Sequence, residues 1–231
     1  MSLQERLSAI DEQIADAARR ADRDASEITR IVVTKFHPAQ LVQELAALGV
    51  TDVGENRQQE LTAKRAALRD AHGPGLDQLR WHYIGQAQTN KAAAIRRDAD
   101  AVHSVDRVKL AEALHRAAAD LHPLDVLVQV NLTQDPGRGG VAPDEAGALA
   151  ERILELDTLR LRGVMAVAPL DEPPAPAFAR LRAVADGIRR IAPDATWISA
   201  GMTGDFAEAI DAGATHLRIG SAITGPRPDR G

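Results

Sequence analysis

The sequence contains no cysteine, so disulfide frameworks and thiolate metal sites are excluded. Aromatic residues make up only 3%, too few for the stacking platforms that hold single-stranded nucleic acid. An excess of basic charge is also missing. The formal net charge is -5, which argues against a nucleic-acid surface. No apolar run is long enough to cross a membrane, and the N-terminus lacks the pattern of a signal peptide. The seven histidines are scattered without an HExxH or His-x-His pair, so no metal site is expected. These absences point to a soluble, cytoplasmic protein with neither a nucleic-acid nor a membrane partner.

What is present is alternation. Short apolar runs near 31–35, 51–54, 81–85, 101–105, 124–131, 160–167, 196–200 and 215–219 read as strands. The segments between them are rich in Ala, Leu, Arg and Glu and read as helices. Pro38 and Pro143 stand where first helical turns would begin, and Gly49 where a helix would stop. Eight strands alternating with helices predict a single α/β domain over 1–231, a (β/α)8 barrel of the TIM type. A doubly wound open sheet is the alternative, because strand counting does not prove closure. The first twenty residues form an additional amphipathic helix, with Ser2 and Glu5 at capping-box spacing and Leu3, Leu7, Ile10 and Ile14 on one face. Only "GSAITGPRPDRG" follows the last strand. The final helix is therefore short or missing, and the N-terminal helix is expected to cover the gap.

In such barrels the chemistry sits at the C-terminal ends of the strands. There the sequence places Lys35, "GEN" at 54–56, "GQ" at 85–86, Ser104 with Asp106, Asn131, Ser199 to Gly201, and Arg218 with Gly220 and Ser221. The turns "SAGMTGD" and "RIGSAITG" follow strands seven and eight, where barrels of this kind often bind phosphate. Glycine admits close backbone approach, and a helix N-terminus offers unpaired N–H groups to an anion. Ser199, Thr203 and Ser221 are expected to add hydroxyl donors. Asp205 would repel phosphate and is read instead as a first-turn residue of the next helix.

Lys35, on the face of Ile31 and Val33, is either a lysine reaching out to water or an amine that condenses with an aldehyde. Arg218 is either an ion-pair partner of Glu55 or Asp205, or a donor to an acceptor atom of a ligand ring. Arginine keeps its proton, so a pyridine nitrogen facing it would stay unprotonated. A phosphorylated aldehyde satisfies the lysine and the phosphate turns together. A Schiff-base aldolase acting on a sugar phosphate also fits them.

The motifs "VTKFHP", "GENRQQE", "WHYIGQAQTNK", "VHSVD", "GVMAV", "SAGMTGD" and "RIGSAITG" resemble, in order and spacing, those of the pyridoxal phosphate homeostasis proteins. Their fold is like the N-terminal barrel domain of alanine racemase. The resemblance covers about residues 5 to 226. It implies that pyridoxal 5'-phosphate is carried as a Schiff base on Lys35, with Arg218 facing the pyridine nitrogen. By the same resemblance Ser199, Gly201, Gly220 and Ser221 hold the phosphate, Asn56 lines the pocket and His82 stands nearby. It further implies cofactor buffering without catalytic turnover, and PLP-requiring apo-enzymes as partners. Where the family usually reads Ser-Met-Gly-Met-Ser, this chain has "SAGMT". Ser221 replaces a frequent threonine, and "TGPR" replaces Phe-Gly-x-Arg. An amino-acid racemase is the alternative, but such racemases take a tyrosine base from a second domain for which this chain has no room. The only tyrosine, Tyr83, falls inside strand three. With no long apolar patch in view, a monomer is expected.

Overall fold

The structure, a computed structural model of the 231-residue chain, describes residues 1–69, 71–118 and 122–227. Eight parallel strands form a closed barrel in chain order. They are β1 (Thr29–Val33), β2 (Asp52–Glu55), β3 (Arg80–Tyr83), β4 (Ala101–Val105), β5 (Leu124–Gln129), β6 (Leu159–Met165), β7 (Trp197–Ser199) and β8 (His216–Ile219). Closure rests on β1, which pairs with β2 on one side and with β8 on the other, from Thr29↔His216 to Val32↔Ile219. That pairing decides for the barrel against the open sheet.

The strands are short and β-branched because both faces are buried. One row, including Val32, Val53, Val102, Val126, Val164, Ile198 and Leu217, packs outward in one apolar core with the helices. Those helices are α1 (Leu3–Arg20), α2 (Ala39–Ala47), α3 (Gln58–Leu68), α4 (Ala92–Asp98), α5 (Val108–Arg116), α6 (Ala146–Leu154), α7 (Pro174–Ile191), α8 (Phe206–Asp211) and α9 (Ser221–Thr224). The alternate row faces the lumen. It includes Ile31, Leu127 and Met165, all buried.

Pro38 caps α2 as expected, whereas Pro143 lies in a turn and α6 begins only after Glu145. α1 begins with a complete capping box, Ser2 with Glu5, and buries Leu7, Ile10 and Ile14. It packs against α8 and the four-residue α9, covering the gap in the helical ring. Arg6 Nε donates to Ile223 O at 2.6 Å, and Arg23 Nη1 reaches Ile210 O and Ala214 O at 2.9 and 2.7 Å. Among the described residues no helix is long and apolar enough to cross a membrane.

Candidate functional site at the barrel mouth

The β1 ladder runs one bond past the strand, with Thr34 N donating to Gly54 O at 3.0 Å, and there the alternation stops. Lys35 therefore does not share the inward face of Ile31 and Val33, as the sequence suggests. It occupies a turn on the rim and is exposed, its Nζ 5.8 Å from the Phe36 ring centre. Phe36 adopts φ 70, a left-handed conformation that costs a residue with a Cβ about 1 kcal/mol or more.

Side chains of α3 and β2 hold this turn. Glu60 Oε2 accepts from Phe36 N at 2.8 Å, and Lys64 Nζ donates to Thr34 O at 2.7 Å. Thr34 Oγ1 donates at 2.6 Å to Glu55 Oε1, which also pairs with Lys64. The Lys64 side chain is 6% exposed and that of Glu55 0%. Burial pushes the Glu55 carboxyl above its ordinary range, while Lys64 and Thr34 pull the other way.

The two glycine turns meet beside the Lys35 turn, because β8 neighbours β1 in the closed barrel. Ala200 N donates to His216 O at 3.1 Å and Arg218 N to Gly201 O at 2.9 Å. Gly201 has φ 93, and a Cβ there would fall 2.8 Å from Ala209 Cβ and 3.0 Å from Phe206 Cα. Only glycine lets this turn pack so closely onto α8. Asp205 is the residue preceding α8, and its Oδ1 accepts from Met202 N at 2.6 Å, which folds the turn. Ser221 and Thr203 are exposed, and Thr203 also borders a cleft shared with Gln13, Asp16 and Arg20 of α1. Ala200 belongs to the core between sheet and helices, so the departure there changes packing rather than the mouth.

Ser199 does not offer its hydroxyl to the mouth, contrary to expectation. It is buried in the lumen, accepting from Arg218 Nη1 at 2.7 Å and lying 2.8 Å from His103 Nδ1. β4 and β7 are not neighbours, so this contact crosses the lumen. His82 is likewise not at the pocket. It is fully buried between His103 (2.9 Å) and Asp52 (2.8 Å). Arg218, 5% exposed, reaches Ala166 O with Nη2 at 2.8 Å. Neither Glu55 nor Asp205 is its partner, although Asp205 acts on it at longer range. Burial pulls its acid constant down to about 10.

The same burial holds His103 well below the usual imidazole range and His216, stacked 4.2 Å from Trp197, at about 3. Beneath them Asp125 pairs with Arg80 and Arg160 and plugs the N-terminal end of the barrel. A cleft of about 420 Å³ bordered by Arg80, Arg96 and Arg160 opens at that end, where barrels of this type invest in stability rather than chemistry.

Other strand-end residues divide into committed and free. Asn131 braces its own loop, donating to Asp135 O and accepting from Thr133. Tyr83, 3% exposed, donates to Gln86 O. By contrast Asn56 Oδ1 and Ser104 Oγ are buried without hydrogen-bond partners. Asn56 is held close to β3 because Gly85 has no side chain, and a Cβ there would lie 1.9 Å from Asn56 O. Around the rim Lys35, Arg57 and Arg227 gather over the Phe36 ring, at 5.8, 5.3 and 4.1 Å. The mouth thus combines an exposed amine, a cationic collar, a buried guanidinium, two glycine turns and unsatisfied polar atoms. Sequence reading named Glu55 but missed its partners Thr34 and Lys64, and also Asp52, His103 and His216. A list of polar residues at inward strand positions would have found Asp52, His103 and His216.

The alanine racemase N-terminal domain family matches residues 6–228. A pyridoxal phosphate homeostasis protein of Pseudomonas aeruginosa is 40% identical over 230 residues, 98% of this chain and 96% of its own. The chain belongs to the pyridoxal phosphate homeostasis protein family. PipY of Synechococcus elongatus PCC7942 has been solved in two states, and both superpose on 97% of this chain and 100% of their own. The structure without PLP has a TM-score of 0.85 at 34% identity, and the one with PLP bound has 0.82 at 33%. The alanine racemase of Corynebacterium glutamicum shares the fold, with a TM-score of 0.68 at 17% identity. It matches 97% of this chain but only 62% of the racemase. The homeostasis-protein family therefore accounts for the chain nearly end to end, whereas the racemase has a further portion that the chain does not match.

Proposed function

We propose that this protein binds pyridoxal 5'-phosphate at the mouth of its barrel, buffers it and passes it to cofactor-free enzymes, without turnover of its own. The observation that carries the reading is the full-length likeness to a protein solved with PLP bound, together with partnerless polar atoms at the corresponding mouth. The residues present fit the group. Lys35 is the one amine on the rim turn, and loss of water between its Nζ and the cofactor's aldehyde would attach the cofactor. The turns at Gly201 and at Gly220–Ser221 would seat the phosphate, with the exposed hydroxyls of Ser221 and Thr203 as donors. Asn56 would line the ring. Arg218 would face the ring nitrogen and, being a donor only, leave it unprotonated.

When bound, pyridoxal phosphate supplies an electron sink for carbanions, and an unprotonated ring weakens that sink. Racemisation needs a base on one face of the substrate and an acid on the other, and two residues favour the carrier reading over it. Tyr83 is occupied inside β3, and Lys35 serves one face only. Release requires an exposed attachment point, and Lys35 is exposed.

Titration of the protein with pyridoxal phosphate tests this directly. A visible absorption band should rise to one equivalent, be absent in Lys35→Ala, and leave L-alanine optically unchanged over hours. Transfer of the pigment to an added apo-enzyme should clear the band. Rapid formation of D-alanine would favour the racemase reading, and no band at all would end the carrier reading. The same sample on a sizing column should elute as a monomer.

A further inference from the structure

Four buried groups and one partly buried carboxylate form an unbroken line through the lumen: Arg218 Nη1, Ser199 Oγ, the two imidazoles of His103 and His82, and Asp52 Oδ1. The successive distances are 2.7, 2.8, 2.9 and 2.8 Å. With one hydrogen on each ring, the carboxylate end fixes the direction of every bond, because a carboxylate only accepts and each ring then has one donor and one acceptor nitrogen. Ser199 Oγ, accepting a hydrogen bond from Arg218 Nη1, turns its own hydrogen towards His103 Nδ1. His103 must then carry its hydrogen on Nε2 and give it to His82 Nδ1. His82 in turn carries its hydrogen on Nε2 and gives it to Asp52. Each link uses one hydrogen, and each ring carries its own on Nε2. A second proton on His103 would point Nδ1–H at Ser199 and reverse that link.

Arg218 needs such support. Among the described residues no carboxylate lies within 4 Å of it, and its acceptors are a hydroxyl and the carbonyl of Ala166. Donating its hydrogen to His103 turns the Ser199 hydroxyl so that its lone pairs face Arg218.

We infer that Asp52, His82 and His103 are positioning residues for Arg218, acting through a one-way hydrogen-bond line whose direction is set by the Asp52 carboxylate at its far end. The line itself is independent of the ligand. Its consequence for the cofactor rests on the reading above, which sets Arg218 against the ring nitrogen.

The experiment has two arms. In the first, the protein without cofactor is labelled with ¹⁵N-histidine, and long-range ¹H–¹⁵N correlation assigns the tautomers. Both His82 and His103 should carry hydrogen on Nε2. Asp52→Leu removes the terminal acceptor and should mix the tautomers of His103, two links away. Asp52→Asn retains an acceptor oxygen and should restore the wild-type pattern. His82→Leu, which offers neither a donor to Asp52 nor an acceptor to His103, breaks the line one link nearer and serves if Asp52→Leu does not fold.

In the second arm the same variants are titrated with pyridoxal phosphate. The broken line should shift the absorption maximum of bound cofactor and weaken binding about three- to tenfold, the worth of one net hydrogen bond. Asp52→Asn should stay near wild type. Unchanged His103 tautomers in Asp52→Leu or His82→Leu overturn the line. Altered tautomers with an unchanged cofactor spectrum overturn the positioning role. Should the wild type take up no cofactor, the functional reading fails, and the first arm alone decides whether the line exists.

Discussion

Replacing Lys64 by methionine probes the device that presents Lys35. The substitution conserves much of the stem volume but removes a cation whose side chain is 6% exposed, opposite a carboxylate that is 0% exposed. It also strips Thr34 O of a donor at 2.7 Å. Breaking one side of a buried ion pair costs about 3–5 kcal/mol, since the other charge is left without compensation. A domain of this length loses about 2–4 °C in melting temperature per kcal/mol, so the expected drop at pH 7.5 is about 6–20 °C.

The deficit should shrink on acidification. Burial already raises the Glu55 acid constant, and losing Lys64 removes a group that lowers it. A carboxyl whose folded value exceeds its unfolded value near 4.3 favours the folded state at low pH, and that contribution fades as pH rises through the folded value. The melting temperature of Lys64→Met should therefore approach wild type between pH 7.5 and 5. The double variant Lys64→Met with Glu55→Leu, which removes both charges, should recover most of the loss. Circular dichroism melts over this pH range supply the test. A single variant within 2 °C of wild type at pH 7.5, or a deficit that ignores pH, would refute the buried clamp.

Acid should destabilise the fold through its lumen histidines. His216 titrates at about 3 when folded and near 6.5 when unfolded, so between these values only the unfolded chain takes up the proton. Stability is complete above about 6.5 and falls as pH drops towards 3, by about 3 kcal/mol at pH 4.5 from this residue alone. In urea titrations His216→Gln should flatten the slope of stability against pH by about one proton across that window, and an unchanged slope would contradict the assignment. Tyr83→Phe removes a bond to Gln86 O and should cost about 1 kcal/mol in the same titrations while leaving cofactor uptake intact. A loss of uptake would place Tyr83 at the site. Gly201→Ala should lower the melting temperature by several degrees, because φ 93 and a 2.8 Å contact both penalise a methyl group.

Much of this was readable in the chain. The apolar runs and their punctuation marked all eight strands, and the position of a residue after a run placed Lys35, Asn56 and both glycine turns at one end. What escaped depends on long-range register. His103 and Ser199 are 96 residues apart and meet only because the barrel closes with a particular stagger. The same stagger decides whether an inward residue such as His82 reaches the mouth or stops halfway down. Lys64 sits on α3, and the fold of the Lys35 turn over it contributes to its burial. Lys35 was assigned to the right end but the wrong conformation, because nothing in "VVTKF" announces the left-handed Phe36 that ends the alternation.

The central claim is chemical attachment at one amine, and peptide mapping after reduction measures it most directly. The protein is incubated with one equivalent of pyridoxal phosphate, reduced with borohydride, digested and analysed by mass spectrometry. The account predicts a single modified peptide, with the reduced cofactor on Lys35. Label on Lys64 or scattered over surface lysines with Lys35 bare, or no stable label at all, would contradict it.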